Sequence, residues 1–256
     1  MTSSQDHSVK RPGFRLEAAK GVPEFEEGIT TAWITRLFEQ PDLLRMGHRQ
    51  RAEDLNLGLG WLYYALGRIL RPTKAVVIGS WRGFVPLVIG KALQDNLEQG
   101  ELIFIDPSLA DDFWVDANAV RTYFQSFGVR NIQHFRMTTQ EFVATDHYRA
   151  LGEIGLVFID GRHSEEQARF DYEAFEKFLA PRGFVVLHDS MVVRDDKVYG
   201  SKNAYQMTVK NFIDRLKRDS SLQLLDLPFG STGMTLLRKL DGESSRPLHD
   251  WLEPPN

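Results

Sequence analysis

Short apolar runs that alternate with longer amphipathic ones constrain the fold of this chain more than any other feature. Five apolar runs typical of buried strands follow Lys74, at 75–79, 101–106, 132–135, 154–160 and 183–189. Helical patterns lie between and after them, near 83–97, 111–127, 139–149 and 164–179. Repeated alternation of apolar strands and amphipathic helices predicts an α/β fold, a doubly wound, mostly parallel sheet with helices on both faces.

The two ends of the chain add elements to this sheet. Apolar residues at helical spacing predict N-terminal helices at 28–39 and 52–70, and Arg71-Pro72 ends the second of them. A further helix is predicted near 203–218, and residues 221–240 are typical of a C-terminal antiparallel hairpin joined by a Pro/Gly turn. We therefore predict three regions: a flexible N-terminus with a helical cap at 1–60, the α/β domain at 61–240 and an irregular tail at 241–256.

Composition narrows the classes of protein. The chain has no Cys, which excludes disulfides, thiolate metal sites and a cysteine nucleophile. Its formal net charge of −4 gives no basic excess, so we expect neither nucleic acid nor an anionic membrane surface as a partner. No apolar run approaches the ~18 residues of a membrane span, and the polar N-terminus is not a secretory signal. These features predict a cytoplasmic protein and allow a homo-oligomer.

Polar residues or glycine end four of the five predicted strands. These residues are Gly79, Asp106, Asp160 and the pair His188-Asp189. The carboxyl ends of parallel strands meet at one edge of a sheet, and ligands bind at that edge. The sequence therefore predicts a ligand site built from these strand ends.

The loop after the first strand, IGSWRGFVPL, limits which ligand can bind. Trp81 and Phe84 occupy two glycine positions of the dinucleotide motif GxGxxG, and the P-loop and GxSxG hydrolase motifs are absent. The loop keeps only the two glycines Gly79 and Gly83. Asp106 follows Gly79 in the sequence at a separation typical of a carboxylate that accepts hydrogen bonds from both hydroxyls of a ribose. The alternative is that both glycines form a tight turn and Asp106 caps the next helix.

Three segments resemble the class I S-adenosylmethionine-dependent methyltransferases over residues 60–238. VVIGSWRGFVPL resembles the first motif of that family, and LIFIDPS resembles its ribose-binding strand. LVFIDGRHSEEQARFDYEAFEKFLAPRGFVVLHDS is similar to the metal-dependent small-molecule O-methyltransferases, especially the macrocin O-methyltransferase-like branch. The resemblance implies a Rossmann-like methyltransferase fold and S-adenosylmethionine as cofactor. It also implies a divalent cation, Mg²⁺ with Mn²⁺ or Fe²⁺ as alternatives, and a small-molecule hydroxyl substrate.

The same resemblance implies a set of cofactor-binding residues. It assigns the methionine part, the ribose and the adenine of the cofactor to residues Gly79, Ser80, Trp81, Gly83, Asp106, Thr139, Gln140 and Asp160. The chain departs from the family at Val77, where the first strand usually carries an acidic residue that helps to hold the methionine end. This departure favours an alternative, a non-catalytic protein of the same fold that acts as a regulatory or complex subunit.

A candidate metal site and a candidate base follow from the fourth and fifth strands. The resemblance implies Asp160, His188 and Asp189 as metal ligands, and an imidazole ligand would favour Mn²⁺, Fe²⁺ or Zn²⁺ over Mg²⁺. Both His188 and Asp189 can bind one cation only if the backbone turns after His188. The alternative is that His188 is a core histidine and Asp189 caps a turn.

His163 is the candidate catalytic base. The box Ser164-Glu165-Glu166-Gln167 predicts a helix that begins at Ser164, which places His163 beside a helix N-terminus. The helix dipole and a nearby dication are both expected to keep the ring neutral, as a general base requires. The alternative is a surface histidine near a helix cap.

The remaining polar and aromatic clusters predict ordinary structural roles. His134, Lys91 and Asp111-Asp112 have no partner at a useful spacing. The clusters Trp61-Tyr63-Tyr64 and Phe113-Trp114 are predicted to lie in the core, with Trp114 as an alternative cover for the cofactor.

Overall fold

A seven-stranded sheet forms the centre of the computed structural model, which describes residues 27–44, 47–197, 203–230 and 232–240. The flexible N-terminus predicted before residue 27 and the predicted tail at 241–256 lie outside the described residues. The strands are β1 (Lys74–Ile78), β2 (Glu101–Ile105), β3 (Ile132–Phe135), β4 (Ile154–Ile159), β5 (Leu179–His188), β8 (Leu222–Leu227) and β9 (Met234–Lys239). Their order across the sheet is β3-β2-β1-β4-β5-β9-β8.

The pairing of the strands confirms the predicted fold class. Strands β1 to β5 pair in parallel, β9 is antiparallel to β5, and β8 and β9 form the predicted C-terminal hairpin. Alternate side chains of each central strand enter two separate cores; for example, Val77 faces one and Val76 faces the other. Both faces of the sheet are therefore covered, and the site must lie at its edge.

The helices agree with the predicted positions less closely than the strands do. They are α1 (Thr31–Phe38), α2 (Pro41–Leu44), α3 (Gly60–Leu70), α4 (Phe84–Gln94), α5 (Ala117–Ser126), α6 (Thr139–Phe142), α7 (Asp146–Arg149), α8 (Glu165–Phe175) and α9 (Val209–Leu216). The helix predicted at 139–149 is two short helices, because the Thr145 side chain accepts a hydrogen bond from the Tyr148 amide and caps a new start. No helix among the described residues has the length and apolar character needed to span a bilayer.

Three predicted helices begin several residues later than their patterns indicate. The helix predicted at 111–127 begins at Ala117, because Asp116 caps it. The helix predicted at 52–70 begins at Gly60, because the preceding segment reverses through paired backbone bonds between Arg51 and Asn56. The helix predicted at 203–218 begins at Val209, because β7 (Tyr205–Met207) pairs with β6 (Arg194–Asp196) in a separate two-stranded ribbon. The sequence pattern does not predict this ribbon.

The N-terminal helices pack directly on the α/β domain. Trp33 and Leu37 of α1 are almost completely buried in the same core as Val77 of β1. The indole Nε1 of Trp33 also donates a hydrogen bond of 2.8 Å to the carbonyl of Phe127. Residues 27–44 and 47–59 thus cover the face of the sheet that carries α4 and α5.

Some expectations for single residues are wrong. Trp61 is 43% exposed and Phe113 is 37% exposed, whereas Tyr63 and Trp114 are buried as predicted. Lys91 has a partner, since its Nζ lies 2.5 Å from Asp95 Oδ1 on the same helix. Asp111 and His134 also have partners: Asp111 accepts a hydrogen bond from Arg82, and the His134 ring contacts the Asp106 carbonyl.

Candidate active site

A cavity of about 430 Å³ opens at the carboxyl edge of strands β1, β2, β4 and β5. Ten of the eleven predicted site residues line it: Gly79, Ser80, Trp81, Asp106, Thr139, Gln140, Asp160, His163, His188 and Asp189. The exception is Gly83, which faces the core: a Cβ atom there would lie 2.9 Å from the Trp114 ring. The structure therefore brings the predicted residues together at one edge of the sheet.

The loop after β1 is connected to both neighbouring strands. The Gly79 amide donates to the Ile105 carbonyl, and the Asp160 amide donates to the Ile78 carbonyl, each at 2.8 Å. Gly79 has φ +72°, and a Cβ atom there would lie only 2.4 Å from the Asp160 carbonyl oxygen. The loop and Asp160 are thus in backbone contact.

We expect Gly79→Ala to destabilise the fold more than a glycine replacement in open space does. Gly152 is the matched control, because it also has a positive φ, +66°, but a Cβ atom added there would meet no other atom within 4 Å. Gly152→Ala should lower the free energy of unfolding by about 1 kcal/mol through backbone strain. Gly79→Ala should lower it by at least about 3 kcal/mol, because a backbone clash adds to that strain. Urea denaturation measures both, and equal losses would contradict the contact.

Asp106 points into the cavity and does not cap the next helix. Its Oδ1 accepts from the Ser108 amide at 2.8 Å and its Oδ2 accepts from the Ser80 amide at 3.2 Å. Burial raises the pKa of Asp106, although both amide hydrogen bonds act in the opposite direction. Helix α5 is capped instead by Asp116, whose carboxylate accepts from two amides of its first turn.

His163 lies between three carboxylates. Its Nε2 is 3.3 Å from Asp160 Oδ1 and 3.4 Å from Asp189 Oδ2, and its Nδ1 is 3.3 Å from Asp196 Oδ2. Asp160, His163 and Asp189 can each offer one ligand atom within 4.8 Å of the others. This geometry allows His163 to act either as a ligand or as a base.

His188 faces the same two carboxylates. Its Nδ1 lies 3.1 Å from Asp160 Oδ1 and 3.3 Å from Asp189 Oδ1. The required backbone turn is present, because Asp189 has φ +52° and its side chain points back toward the cavity. His188 Nδ1 is nevertheless a buried nitrogen without a partner of hydrogen-bond geometry among the described residues. Such a nitrogen beside two carboxylates has the chemistry of a cation site.

The carboxylates control the charge of both histidines. Burial lowers the pKa of His163, but Asp160, Asp196 and Asp189 together raise it to about 9. The same balance between burial and Asp160 with Asp189 raises the pKa of His188 to about 10. In the absence of a cation, the expectation of a neutral His163 is therefore wrong. The helix begins as predicted, with Ser164 as its cap, but nearby full charges outweigh the partial charge of a helix end.

The sequence pattern does not predict several residues that line or support the site. The hydroxyl of Tyr205 accepts from the His163 amide at 3.1 Å and donates to Asp196 Oδ2 at 3.0 Å. Thr232 donates to Asp189 Oδ1, and His48 lines the cavity from the N-terminal segment. These residues lie on loops or on three-residue strands, which are too short to show a period, so the sequence pattern does not predict their contacts.

Asp171 of α8 was also missed, and it supports the adenine end of the predicted site. Its buried carboxylate accepts from Gln167 Nε2 at 2.8 Å, and Gln167 in turn accepts from Gln140 Nε2 at 2.9 Å. Burial raises the pKa of Asp171 to about 6, while hydrogen bonds from Thr139 and Gln167 act against it. Asp171 therefore connects helix α8 to Thr139 and Gln140.

Comparisons with known proteins agree with this fold. Residues 76–190 match the family model described as methyltransferase domain. An S-adenosylhomocysteine-bound methyltransferase from Podospora anserina has a TM-score of 0.58 at 17% identity, over 84% of this chain and 90% of that one. The O-methyltransferase TomG from Streptomyces achromogenes, involved in tomaymycin synthesis and solved with S-adenosylmethionine, has a TM-score of 0.53 at 18% identity, over 84% and 92%. None of the curated proteins matches the sequence at a significant level.

The sheet order, with a cavity at the carboxyl edge, is that of the Rossmann-like methyltransferase fold. The matched family model then gives the narrower assignment. Residues 76–190 thus match a methyltransferase domain, and the chain around them has the Rossmann-like methyltransferase fold.

Proposed function

We propose that this enzyme transfers the methyl group of S-adenosylmethionine to a hydroxyl of a small molecule, with help from a divalent cation and a histidine base. The observation that carries the proposal is the convergence of Asp160, Asp189, His163 and His188 beside the loop after β1. Methyl transfer to oxygen needs an acceptor held in line with the methyl group and freed of its proton. This cluster can perform both tasks.

The cation would be held by Asp160, Asp189 and His188. When bound, it lowers the pKa of the acceptor hydroxyl and orients that oxygen. The unpartnered Nδ1 of His188 and the low pKa of both carboxylates, caused by the neighbouring histidines despite their burial, suit such an ion. Two carboxylates are compatible with Mg²⁺, and the imidazole shifts the preference toward Mn²⁺ or Fe²⁺.

His163 would take the acceptor proton. His163 Nδ1 lies 3.3 Å from Asp196 Oδ2, and this contact would orient the ring. Nε2 is then directed at Asp160, Asp189 and the cavity. Tyr205 fixes the backbone of His163 and the carboxylate of Asp196 at once. The short β6–β7 ribbon thus supplies the groups that orient the base.

The cofactor would extend along the edge of the sheet. We assign its methionine part to the loop Gly79–Ser80–Trp81, its ribose hydroxyls to Asp106, and its adenine to Thr139 and Gln140. Gly83 would act only by shaping the loop. Val77 is completely buried in the core and does not line the cavity, so replacing the usual acid here leaves an apolar core position.

The proposed methyl acceptor is a hydroxyl of a natural product, a sugar or a phenol. The sequence resemblance of residues 156–190 to macrocin-type enzymes supports it, as does the similarity to TomG. The rival function is a non-catalytic subunit of the same fold, favoured by Val77. The four-residue cluster argues against it, because a protein without chemistry has no need to bury two carboxylates and two histidines together.

Calorimetry and a turnover assay test the proposal. S-adenosylhomocysteine should bind the wild-type chain, and Asp106→Asn should weaken binding by about tenfold or more, because hydrogen bonds to a charged acceptor are lost. A mixture of catechols, phenols and sugars with S-adenosylmethionine and Mg²⁺ should yield a product that is one methyl group heavier by mass spectrometry. Cofactor binding without transfer to any hydroxyl compound would favour the non-catalytic alternative.

A further inference from the structure

The N-terminal segment reaches the candidate metal centre through His48. This residue is only 1% exposed, and it lines the cavity together with the strand-end residues. Its ring centre lies 4.8 Å from that of His188, with the two planes tilted by 55°. His48 is therefore a direct neighbour of a candidate ligand, although it lies 140 residues away in the sequence.

The ring of His48 is fixed from two directions. It stacks on Phe84 with a centre distance of 5.2 Å and an angle of 18°, and its Nδ1 lies 3.0 Å from the hydroxyl of Tyr63. Tyr63 is completely buried, and burial keeps the pKa of its hydroxyl well above the usual range, so the hydroxyl retains its proton. A protonated hydroxyl can donate to or accept from Nδ1, so the hydrogen bond joins the two side chains in either tautomer of His48.

The backbone of His48 is equally restricted. Its carbonyl accepts a hydrogen bond of 2.8 Å from the Leu59 amide. Gly58 has φ +57°, and a Cβ atom there would lie 2.2 Å from the same carbonyl oxygen. The reversal between His48 and Gly60 therefore holds the imidazole at one position relative to α3, the helix that carries Tyr63.

The orientation of the His188 ring depends on a fixed neighbour such as His48. Its ring lies between His48 and Phe158, whose ring centre is 6.3 Å away at an angle of 28°. The χ2 torsion of a histidine has broad, roughly two-fold preferences, so the ring can turn over unless its neighbours prevent it. A turned ring would present a carbon atom, in place of Nδ1, to Asp160 and Asp189.

We propose that Tyr63 and His48 are positioning residues for His188, and that the N-terminal segment thereby completes the metal centre. The chain of contacts runs from the Tyr63 hydroxyl to His48 Nδ1, and from the His48 ring to the His188 ring. This inference rests on the proposed metal-assisted function. It adds that cation affinity depends on a hydroxyl group that touches neither cation nor substrate.

Cation affinity of Tyr63→Phe tests the proposal, with Tyr64→Phe as the matched control. The neighbouring Tyr64 hydroxyl donates to Asp95 instead, at 2.8 Å. Mn²⁺ binding to the complex with S-adenosylhomocysteine is followed by electron paramagnetic resonance, and cofactor affinity by calorimetry. We expect Tyr63→Phe and His48→Ala to weaken Mn²⁺ binding about tenfold, as loss of an outer-shell partner does. Tyr64→Phe should bind Mn²⁺ as the wild type does, and no variant should lose cofactor affinity.

A second mutational background separates positioning from general loosening of the fold. In a His188→Gln chain, Tyr63→Phe should cause no further loss of Mn²⁺ affinity, because the ring that it positions is absent. An equal loss in both backgrounds, or wild-type affinity in Tyr63→Phe, overturns the proposal.

Nuclear magnetic resonance of the histidine rings distinguishes this inference from the proposed function. If the wild type binds no Mn²⁺, the metal-assisted function fails. The ring ¹⁵N signals of His188 in the metal-free protein then decide the inference. A change in these signals in Tyr63→Phe but not in Tyr64→Phe supports positioning, and unchanged signals contradict it.

Discussion

His163→Ala is expected to lower turnover by at least about 100-fold, the usual contribution of a positioned general base. Cofactor affinity should survive, because no part of the cofactor is assigned to His163. The alanine leaves the acceptor proton without a nitrogen in reach, since His188 is confined between His48 and Phe158. Steady-state turnover and calorimetry with S-adenosylhomocysteine measure the two quantities separately.

His147→Ala is the control for this variant. His147 is exposed and lies outside the cavity lining, so its replacement should leave turnover unchanged. A His163→Ala enzyme with full activity would remove the base from the proposal. A variant that loses cofactor affinity together with turnover would instead indicate a role in shaping the site.

Removal of divalent cations is expected to abolish activity, and added Mg²⁺ or Mn²⁺ should restore it. A phenol has a pKa of about 10, and a sugar hydroxyl is less acidic still, so a histidine alone is a weak base for either. Without a cation, Asp160 and Asp189 also hold both histidines protonated, with pKa values of about 9 and 10. Neither ring can then accept a proton near neutral pH, so both the base and the acceptor depend on the bound ion.

EDTA treatment followed by titration with each cation makes this measurement. Asp189→Asn is the matched variant, because an asparagine keeps the volume of the side chain and can still accept a hydrogen bond from Thr232. Its activity should not recover at cation concentrations that restore the wild type. An enzyme that is indifferent to EDTA would exclude the metal, and it would also contradict the protonated state expected for His163 in the metal-free site.

Much of the site follows from the sequence because parallel strands align their ends. The apolar runs predict β1, β2, β4 and β5, and a polar residue after each run must then lie at the same edge of the sheet. Gly79, Asp106, Asp160 and Asp189 are found together for this reason alone. The predicted N-cap at Ser164 likewise depends on local hydrogen bonding, and the structure retains it.

The predictions that failed depend on contacts between distant segments. The pattern at 52–70 is helical by spacing, yet the bonds between Arg51 and Asn56 reverse its first part. The short ribbon at 194–207 has too few residues to show a period, and its position next to His163 depends on the fold around it.

The sequence by itself therefore determined the sheet, the edge at which the cavity opens, and that Asp160, His163, His188 and Asp189 meet there. Local periodicity and the geometry of parallel strands are sufficient for these features. Only the tertiary structure decided that His48 contacts both Tyr63 and His188, and that His163 is charged in the metal-free site. A ring contact depends on where two unrelated segments pack, and a pKa depends on distances to charges that the chain brings together only when it folds.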